Sequence, residues 1–124
     1  MLKYVVIGIG GFAGAIARHA LGSYIGSRLG VRFPYGTFVI NVSGSFLIGF
    51  ILVLLSRTTA SQYWHYMIPI GFIGAYTTFS TFEYETFRAI QEGQPMTGLL
   101  NVVLSLIIGF VAVWAGSALG RVFA

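Results

Sequence analysis

Two long stretches without a charged side chain limit what this sequence can fold into more than any other feature. Residues 37–56 are twenty uncharged positions in a row, and residues 96–120 are twenty-five. An α-helix rises about 1.5 Å per residue and the hydrocarbon core of a bilayer is about 30 Å thick, so either stretch can cross a membrane as a helix. The sequence therefore predicts a membrane protein, in agreement with its mean hydropathy of +0.85.

Two further apolar segments raise the predicted number of transmembrane helices to four. One covers about residues 3–26 and contains Arg18 and His19, and the other covers about residues 66–90 and is uncharged until Glu83. The apolar start could pass for a signal peptide, but three more spans follow it, so we interpret it as a retained helix. We predict an all-α membrane protein with a single domain over residues 1–124 and spans near residues 3–26, 37–56, 66–90 and 96–121.

The positive charges favour neither orientation in the membrane. Lys and Arg are enriched in cytoplasmic loops, yet this chain has Lys3, Arg57 and Arg121 on the side of its termini and Arg28, Arg32 and Arg88 on the other. This tie predicts insertion in both orientations and an antiparallel homodimer, unless flanking lipids or the first helix decide the orientation. The net charge of +4, with no basic run, indicates contact with anionic lipid headgroups rather than nucleic acid.

No pattern in the sequence indicates an enzyme. There is no cysteine, and His19 and His65 are isolated from any nucleophile or second metal ligand. The string GIGGFA at residues 8–13 fits a loose dinucleotide-binding pattern, but such a site needs a preceding strand and an acid about twenty residues on, whereas the first acid is Glu83. Packing glycines are the better interpretation, because small residues recur four apart at Gly10 and Gly14, Gly22 and Gly26, Ser45 and Gly49, Ala112 and Gly116, and Gly116 and Gly120.

The polar side chains inside the predicted spans are almost all neutral hydrogen-bond donors. They are Thr37, Asn41, Ser43 and Ser45 on the second span, Thr77, Thr78, Ser80 and Thr81 on the third, and Asn101, Ser105 and Ser117 on the fourth. A path lined by such groups could pass a small anion stepwise, because neutral donors replace its water without holding it as tightly as a buried cation would. Ordinary hydrogen bonding between helices is the alternative.

The third span carries two further signals. Pro69, Gly71 and Gly74 precede the hydroxyl cluster and predict a break at residues 74–79, which would expose main-chain groups to ions; a simple proline kink is the alternative. Phe79 and Phe82 lie three apart on one helical face and present ring edges, the positive part of the ring quadrupole.

The acidic residues near the end of this span allow two interpretations. Glu85 and Arg88 lie three apart, and Arg88 and Glu92 lie four apart, as expected for solvated surface pairs. Lining a vestibule is the alternative role.

Three strings together resemble the Fluc (CrcB-type) fluoride channels of bacteria. They are GGFAGAIARH at residues 10–19, PYGTFVINVSGSFLIGF at residues 34–50 and GFIGAYTTFSTFEYET at residues 71–86. The resemblance implies four-helix subunits in an antiparallel, dual-topology homodimer with two pores, in the cytoplasmic (inner) membrane. It also implies passive export of fluoride, which enters cells as the neutral weak acid and is trapped as the anion.

The resemblance also implies roles for individual residues. The fluoride path would comprise Phe79, Phe82, Asn41, Thr37, Ser80, Thr81, Ser105 and Asn101. A structural sodium ion between the subunits would be held by main-chain oxygens of Gly74 and Thr77. Arg18 matches an arginine near the end of the family's first helix, and Glu85 matches an acid after the signature. His19 departs from the aromatic residue often found there, and Gly109 replaces a hydroxyl sometimes present one turn past Ser105.

Two other functions remain open from the sequence. A small multidrug exporter is also a four-helix membrane protein prone to dual insertion, but its proton exchange needs a carboxylate on the first helix, and this chain has none there. A structural subunit without transport activity would use the polar side chains only for packing.

Overall fold

The computed structural model describes all residues, Met1–Ala124, and contains helices and no strands. In chain order, the elements are α1 (Leu2–Leu29), α2 (Tyr35–Ser56), α3 (Gln62–His65), a π-helical segment (Tyr66–Ile73), α4 (Gly74–Tyr76), α5 (Phe79–Gln91) and α6 (Pro95–Phe123). Three of them, α1, α2 and α6, are long and apolar enough to cross a membrane. The predicted spans at residues 3–26, 37–56 and 96–121 lie within these three helices.

The chain between α2 and α6 is divided into shorter pieces. The π-helical segment contains Pro69, whose ring has no N–H to donate and would collide with the preceding turn of a regular α-helix. The wider π turn is a known way to interrupt the regular hydrogen-bond ladder of a helix. After α4 the chain leaves the helical conformation at Thr77 and Thr78 and re-enters it at Phe79.

Close approach of main chains holds the helices together. α1 packs against the π-helical segment, and α2 packs along α6. A Cβ atom added at Gly14 would collide with the carbonyl of Phe72, and one added at Gly116 would collide with the carbonyl of Phe46. Association of helices in lipid depends on such fitted van der Waals contacts, because lipid chains are as apolar as the side chains.

Most apolar side chains point away from the interior of the single chain. Only 16 of 124 residues are buried, and four of these are large hydrophobic residues, Ile40, Ile73, Tyr76 and Phe82. The outward-facing apolar surface suits contact with lipid or with another membrane protein chain. The fold of the chain therefore depends on the glycine contacts more than on a core of side chains.

We predict that Gly14→Ala destabilises the protein and that Gly8→Ala does not. Both glycines lie in α1, but a Cβ added at Gly8 meets no heavy atom within 4 Å. Overpacking typically costs about 1–3 kcal/mol, whereas an accommodated Gly→Ala change in a helix is neutral or stabilising. Thermal unfolding of the detergent-purified variants measures the difference. Equal melting temperatures for the two variants would contradict this account of the packing.

Candidate functional site: two cavities around an extended pair of threonines

The site is organised around Thr77 and Thr78, which are extended between α4 and α5. Thr77 has φ −81° and ψ 154°, and Thr78 has φ −146° and ψ 115°. The Asn41 side chain from α2 pairs with both main-chain groups of Thr78: its Oδ1 accepts from the Thr78 N–H at 2.9 Å, and its Nδ2 donates to the Thr78 carbonyl at 3.0 Å. Asn41 thus satisfies the main-chain hydrogen-bonding groups of Thr78 in the way that a neighbouring β-strand would.

A second side chain supports the residues before this pair. Arg18 of α1 donates from Nε to the carbonyl of Ala75 at 3.0 Å. In an uninterrupted α-helix that carbonyl would accept from the N–H of residue 79. A charge-assisted hydrogen bond is stronger than a neutral one, so the arginine stabilises the end of α4. The structure thereby gives Arg18 a partner that its sequence position did not reveal.

Two carbonyl groups at the extended pair lose their usual helical donors. The N–H of Thr78 would reach the carbonyl of Gly74 in a regular helix, but it bonds to Asn41 instead. The N–H of Thr81 would reach the carbonyl of Thr77, but it bonds to Oγ1 of Thr78, which caps α5, at 3.3 Å. Gly74 and Thr77 are the residues that the sequence resemblance assigns to a sodium ion, and the freed oxygens are the ligand type that such an ion takes.

The rings of Phe79 and Phe82 lie side by side at the start of α5. Their centroids are 6.0 Å apart and the ring planes are tilted by 42°. Phe82 is buried, with 7% of its surface exposed, whereas Phe79 is 72% exposed on the single chain. One wall of this part of the site is therefore open unless another molecule covers it.

Both rings line a cavity of about 410 Å³, called here the ring cavity. Its polar lining comprises Asn41, Ser45, Thr77, Thr78 and Ser105. None of its thirteen lining residues is charged; the others are apolar or glycine, and Gly74 is one of them. A cavity of this composition offers hydrogen bonds and ring edges but no formal charge to a small solute.

A second cavity of about 460 Å³, called here the vestibule, is lined by charged residues. Arg18, Arg32, Arg88, Glu85 and Glu92 all contribute to it. Within it Thr37 donates to Oε1 of Glu85 at 2.9 Å, while the other carboxylate oxygen of Glu85 is buried without a partner. Thr78 lines both cavities, so the extended pair lies between a charged compartment and an uncharged one.

The two acids predicted to pair with Arg88 behave differently. Arg88 forms an exposed ion pair with Glu92 at 3.0 Å. Glu85 instead takes its hydrogen bond from Thr37 and lies in the vestibule lining. The structure contains no group of three or more His, Cys, Asp or Glu side chains placed to hold a metal ion.

The structure distributes the residues predicted from the sequence over three environments. Asn41, Phe79, Phe82, Ser105, Gly74 and Thr77 line the ring cavity. Arg18, Thr37, Thr81 and Glu85 line the vestibule. Ser80 and Asn101 line neither cavity, since Ser80 is exposed on the chain surface and Asn101 is 1% exposed.

Both polar atoms of the Asn101 side chain form hydrogen bonds to other side chains. Its Nδ2 donates to Oγ1 of Thr86 at 2.9 Å, and its Oδ1 accepts from Ser105 at 3.3 Å. Thr86 in turn donates to the carbonyl of Phe82 at 2.8 Å. The bond between Asn101 and Thr86 ties α6 to α5 one turn after Phe82.

Sequence reasoning missed the individual importance of Thr78 and Thr86. A threonine just before a helical run is a typical N-cap signal, and this signal could have identified Thr78. Nothing in the sequence pairs Thr86 with Asn101, because the bond joins two helices and depends on how they are rotated.

Comparison with known proteins places the chain in a family. A family model described as CrcB-like protein, Camphor Resistance (CrcB), matches residues 5–117. The fluoride-specific ion channel FluC of Acidobacterium capsulatum is 54% identical over 97% of each chain. FluC of Solibacter usitatus is 49% identical over 97% of this chain and 99% of its own, and FluC of Geobacter metallireducens is 41% identical over 98% of each.

These matches extend over nearly the whole chain and confirm the resemblance carried by the three sequence strings. The relatives are named as ion channels rather than enzymes. Together with three helices of membrane-spanning length and composition, they lead to one conclusion: the chain is a multi-pass membrane protein that belongs to the CrcB family.

Proposed function

We propose that the protein is a fluoride-selective channel that exports fluoride passively across the cytoplasmic (inner) membrane and so lowers cytoplasmic fluoride. The observation that carries this proposal is the ring cavity, in which the only polar lining groups are neutral and two phenyl rings stand beside them. The names of the relatives point to the same ion. The outward gradient of the trapped anion drives the flow, so no coupled reaction is needed.

The cavity chemistry suits a small, strongly hydrated anion. Amide and hydroxyl groups donate hydrogen bonds that replace lost water, and ring edges add weak positive potential. A cationic side chain in the ring cavity would bind the anion too tightly for rapid release, and conduction requires binding that is weak enough to permit exit. Arg18, Arg32 and Arg88 lie instead in the lining of the vestibule, where their positive charge attracts anions.

The same geometry supports a third span that is broken near its middle. We regard α3, the π-helical segment, α4 and α5 as one span interrupted at Thr77 and Thr78, which gives four spans in a single domain over residues 1–124. Irregular backbone at membrane depth is tolerated where it is buried in protein or lines a water-filled cavity. Thr78 meets this requirement because it lines both cavities.

An antiparallel, dual-topology homodimer completes the site. The 72% exposure of Phe79 leaves the ring cavity open on one side of a single chain, and a second subunit would close it. The equal distribution of Lys and Arg supports insertion of the two copies in opposite directions. Membrane lipid surrounds the remaining apolar surface.

A structural sodium ion at the subunit interface fits the residues present. The carbonyls of Gly74 and Thr77, whose helical donors are diverted, would hold it. The ion would supply a fixed positive charge that satisfies these oxygens, each of which would otherwise cost free energy in an apolar setting.

Phe79→Ile and Phe82→Ile should each reduce fluoride efflux from proteoliposomes by at least tenfold (about 1.4 kcal/mol), because an aliphatic side chain has no positive ring edge. Efflux is followed with a fluoride electrode, and chloride efflux is measured in parallel. Phe87→Ile is the matched control, since Phe87 is exposed on α5 and lines neither cavity. Equal permeation of fluoride and chloride by the unmodified protein, or no flux of either, would refute the channel.

Replacing sodium by N-methylglucamine throughout purification and assay should lower the melting temperature of the dimer and reduce fluoride efflux. The freed carbonyls of Gly74 and Thr77 would then lack the cation that satisfies them. Returning sodium should restore both properties. Identical melting temperature and flux in the two media would remove the basis for a sodium site.

A single cysteine appended after Ala124 should be labelled to about half by a membrane-impermeant thiol reagent in intact cells. The chain has no cysteine of its own, so the added thiol reports only the C-terminus. Labelling after permeabilisation gives the total. Complete labelling, or complete protection, would show a single orientation and exclude the antiparallel dimer.

A further inference from the structure

We propose that the Ser45 hydroxyl is an anion-binding group of the ring cavity. This proposal rests on the channel function proposed above and adds a residue to the fluoride path. Ser45 lies on α2 and lines the ring cavity together with Asn41. The two residues are four apart, so they share one helical face with about 5–6 Å between their Cβ atoms.

The other hydroxyls of the ring cavity already donate their protons to protein acceptors. Thr77 donates to the carbonyl of Ile73 at 3.1 Å, Thr78 donates to Oγ1 of Thr81 at 3.0 Å, and Ser105 donates to Oδ1 of Asn101 at 3.3 Å. A hydroxyl has a single proton. Each of these groups must therefore break a bond before it can donate to a passing anion.

Ser45 is the exception among them, because its hydroxyl has no hydrogen-bond partner within the chain. Serines in helices commonly bond back to a carbonyl of the preceding turn. Ser43 does so with Ile40 at 3.1 Å, and Ser56 does so with Val53 at 2.8 Å. Ser45 forms no such bond and is half-buried, so its proton is available to an occupant of the cavity.

Gly109 on α6 lies next to the Ser45 hydroxyl and contributes no side chain there. A Cβ added at Gly109 would meet Oγ of Ser45 at 3.6 Å and no other heavy atom within 4 Å. A small side chain at position 109 would therefore fit beside the hydroxyl in ordinary van der Waals contact. Asn41 commits only one of its two amide hydrogens, to Thr78. The remaining amide hydrogen and the Ser45 hydroxyl form two consecutive donors for a small halide, which suits stepwise transfer.

The test measures initial fluoride efflux from proteoliposomes over a range of internal fluoride concentrations. Ser45→Ala should raise the half-saturating fluoride concentration about tenfold, because a hydrogen bond to a charged partner is lost. Ser117→Ala is the control, because Ser117 donates to the carbonyl of Gly49 in a helix contact and lines neither cavity. The half-saturating fluoride concentration of this variant should equal that of the unmodified protein.

A rescue variant separates ion binding from packing. In the double variant Ser45→Ala/Gly109→Ser, a new hydroxyl approaches the same space from α6, and the half-saturating concentration should return toward that of the unmodified protein. If Ser45→Ala does not purify as a folded protein, Ser45→Cys, a near-isostere with a weak donor, takes its place and should show the same shift.

The outcomes distinguish this proposal from the channel function. Efflux in the unmodified protein with an unchanged half-saturating concentration in Ser45→Ala overturns the role of Ser45 and leaves the channel intact. A lower maximal rate without a shift, not restored by the double variant, assigns Ser45 to packing and also overturns the proposal. Absence of fluoride efflux from the unmodified protein overturns both.

Discussion

The pairing of Asn41 with Thr78 is the interaction on which the rest of the site depends. Main-chain groups inside a bilayer need partners, and outside a helix these must come from neighbouring segments of the protein. Asn41 supplies two such partners to Thr78, and Arg18 supplies one to Ala75. Because these side chains belong to α1 and α2, the extended pair is stable only when both helices are packed in place. The site and the fold are therefore stabilised by the same contacts.

Glycines make this arrangement sterically feasible. A Cβ at Gly44 would collide with the methyl group of Thr77, and a Cβ at Gly14 would collide with the carbonyl of Phe72. α2 can approach the extended pair, and α1 can approach the π-helical segment, only because no side chain intervenes. The polar groups that partner the main chain then reach it over distances of 2.9–3.0 Å. The same close packing of the helices thus allows the main-chain polar groups to form their hydrogen bonds.

Much of this organisation could be predicted from the sequence, but not all of it. Uncharged stretches predicted the long helices, and the resemblance to a channel family pointed to Thr37, Asn41, Phe79 and Phe82, which line the two cavities. The environment of Asn101 could not be predicted, because its burial depends on the rotation of α6 against α5. Likewise, the Glu85 carboxylate was predicted to pair with Arg88, but it accepts a hydrogen bond from the Thr37 hydroxyl of α2 instead. Sequence spacing identifies faces, whereas hydrogen-bond partners depend on tertiary packing.

The π-helical segment accommodates one residue more per turn than the α-helices on either side of it. Each residue of an α-helix turns the chain by about 100°, and a π turn absorbs one residue more than an α turn does. Deleting one residue between Tyr66 and Ile73 would therefore convert a π turn into an α turn and leave Thr78 on the side of the helix axis that faces Asn41. The segment thus holds an extra residue while the extended pair keeps its contact with Asn41.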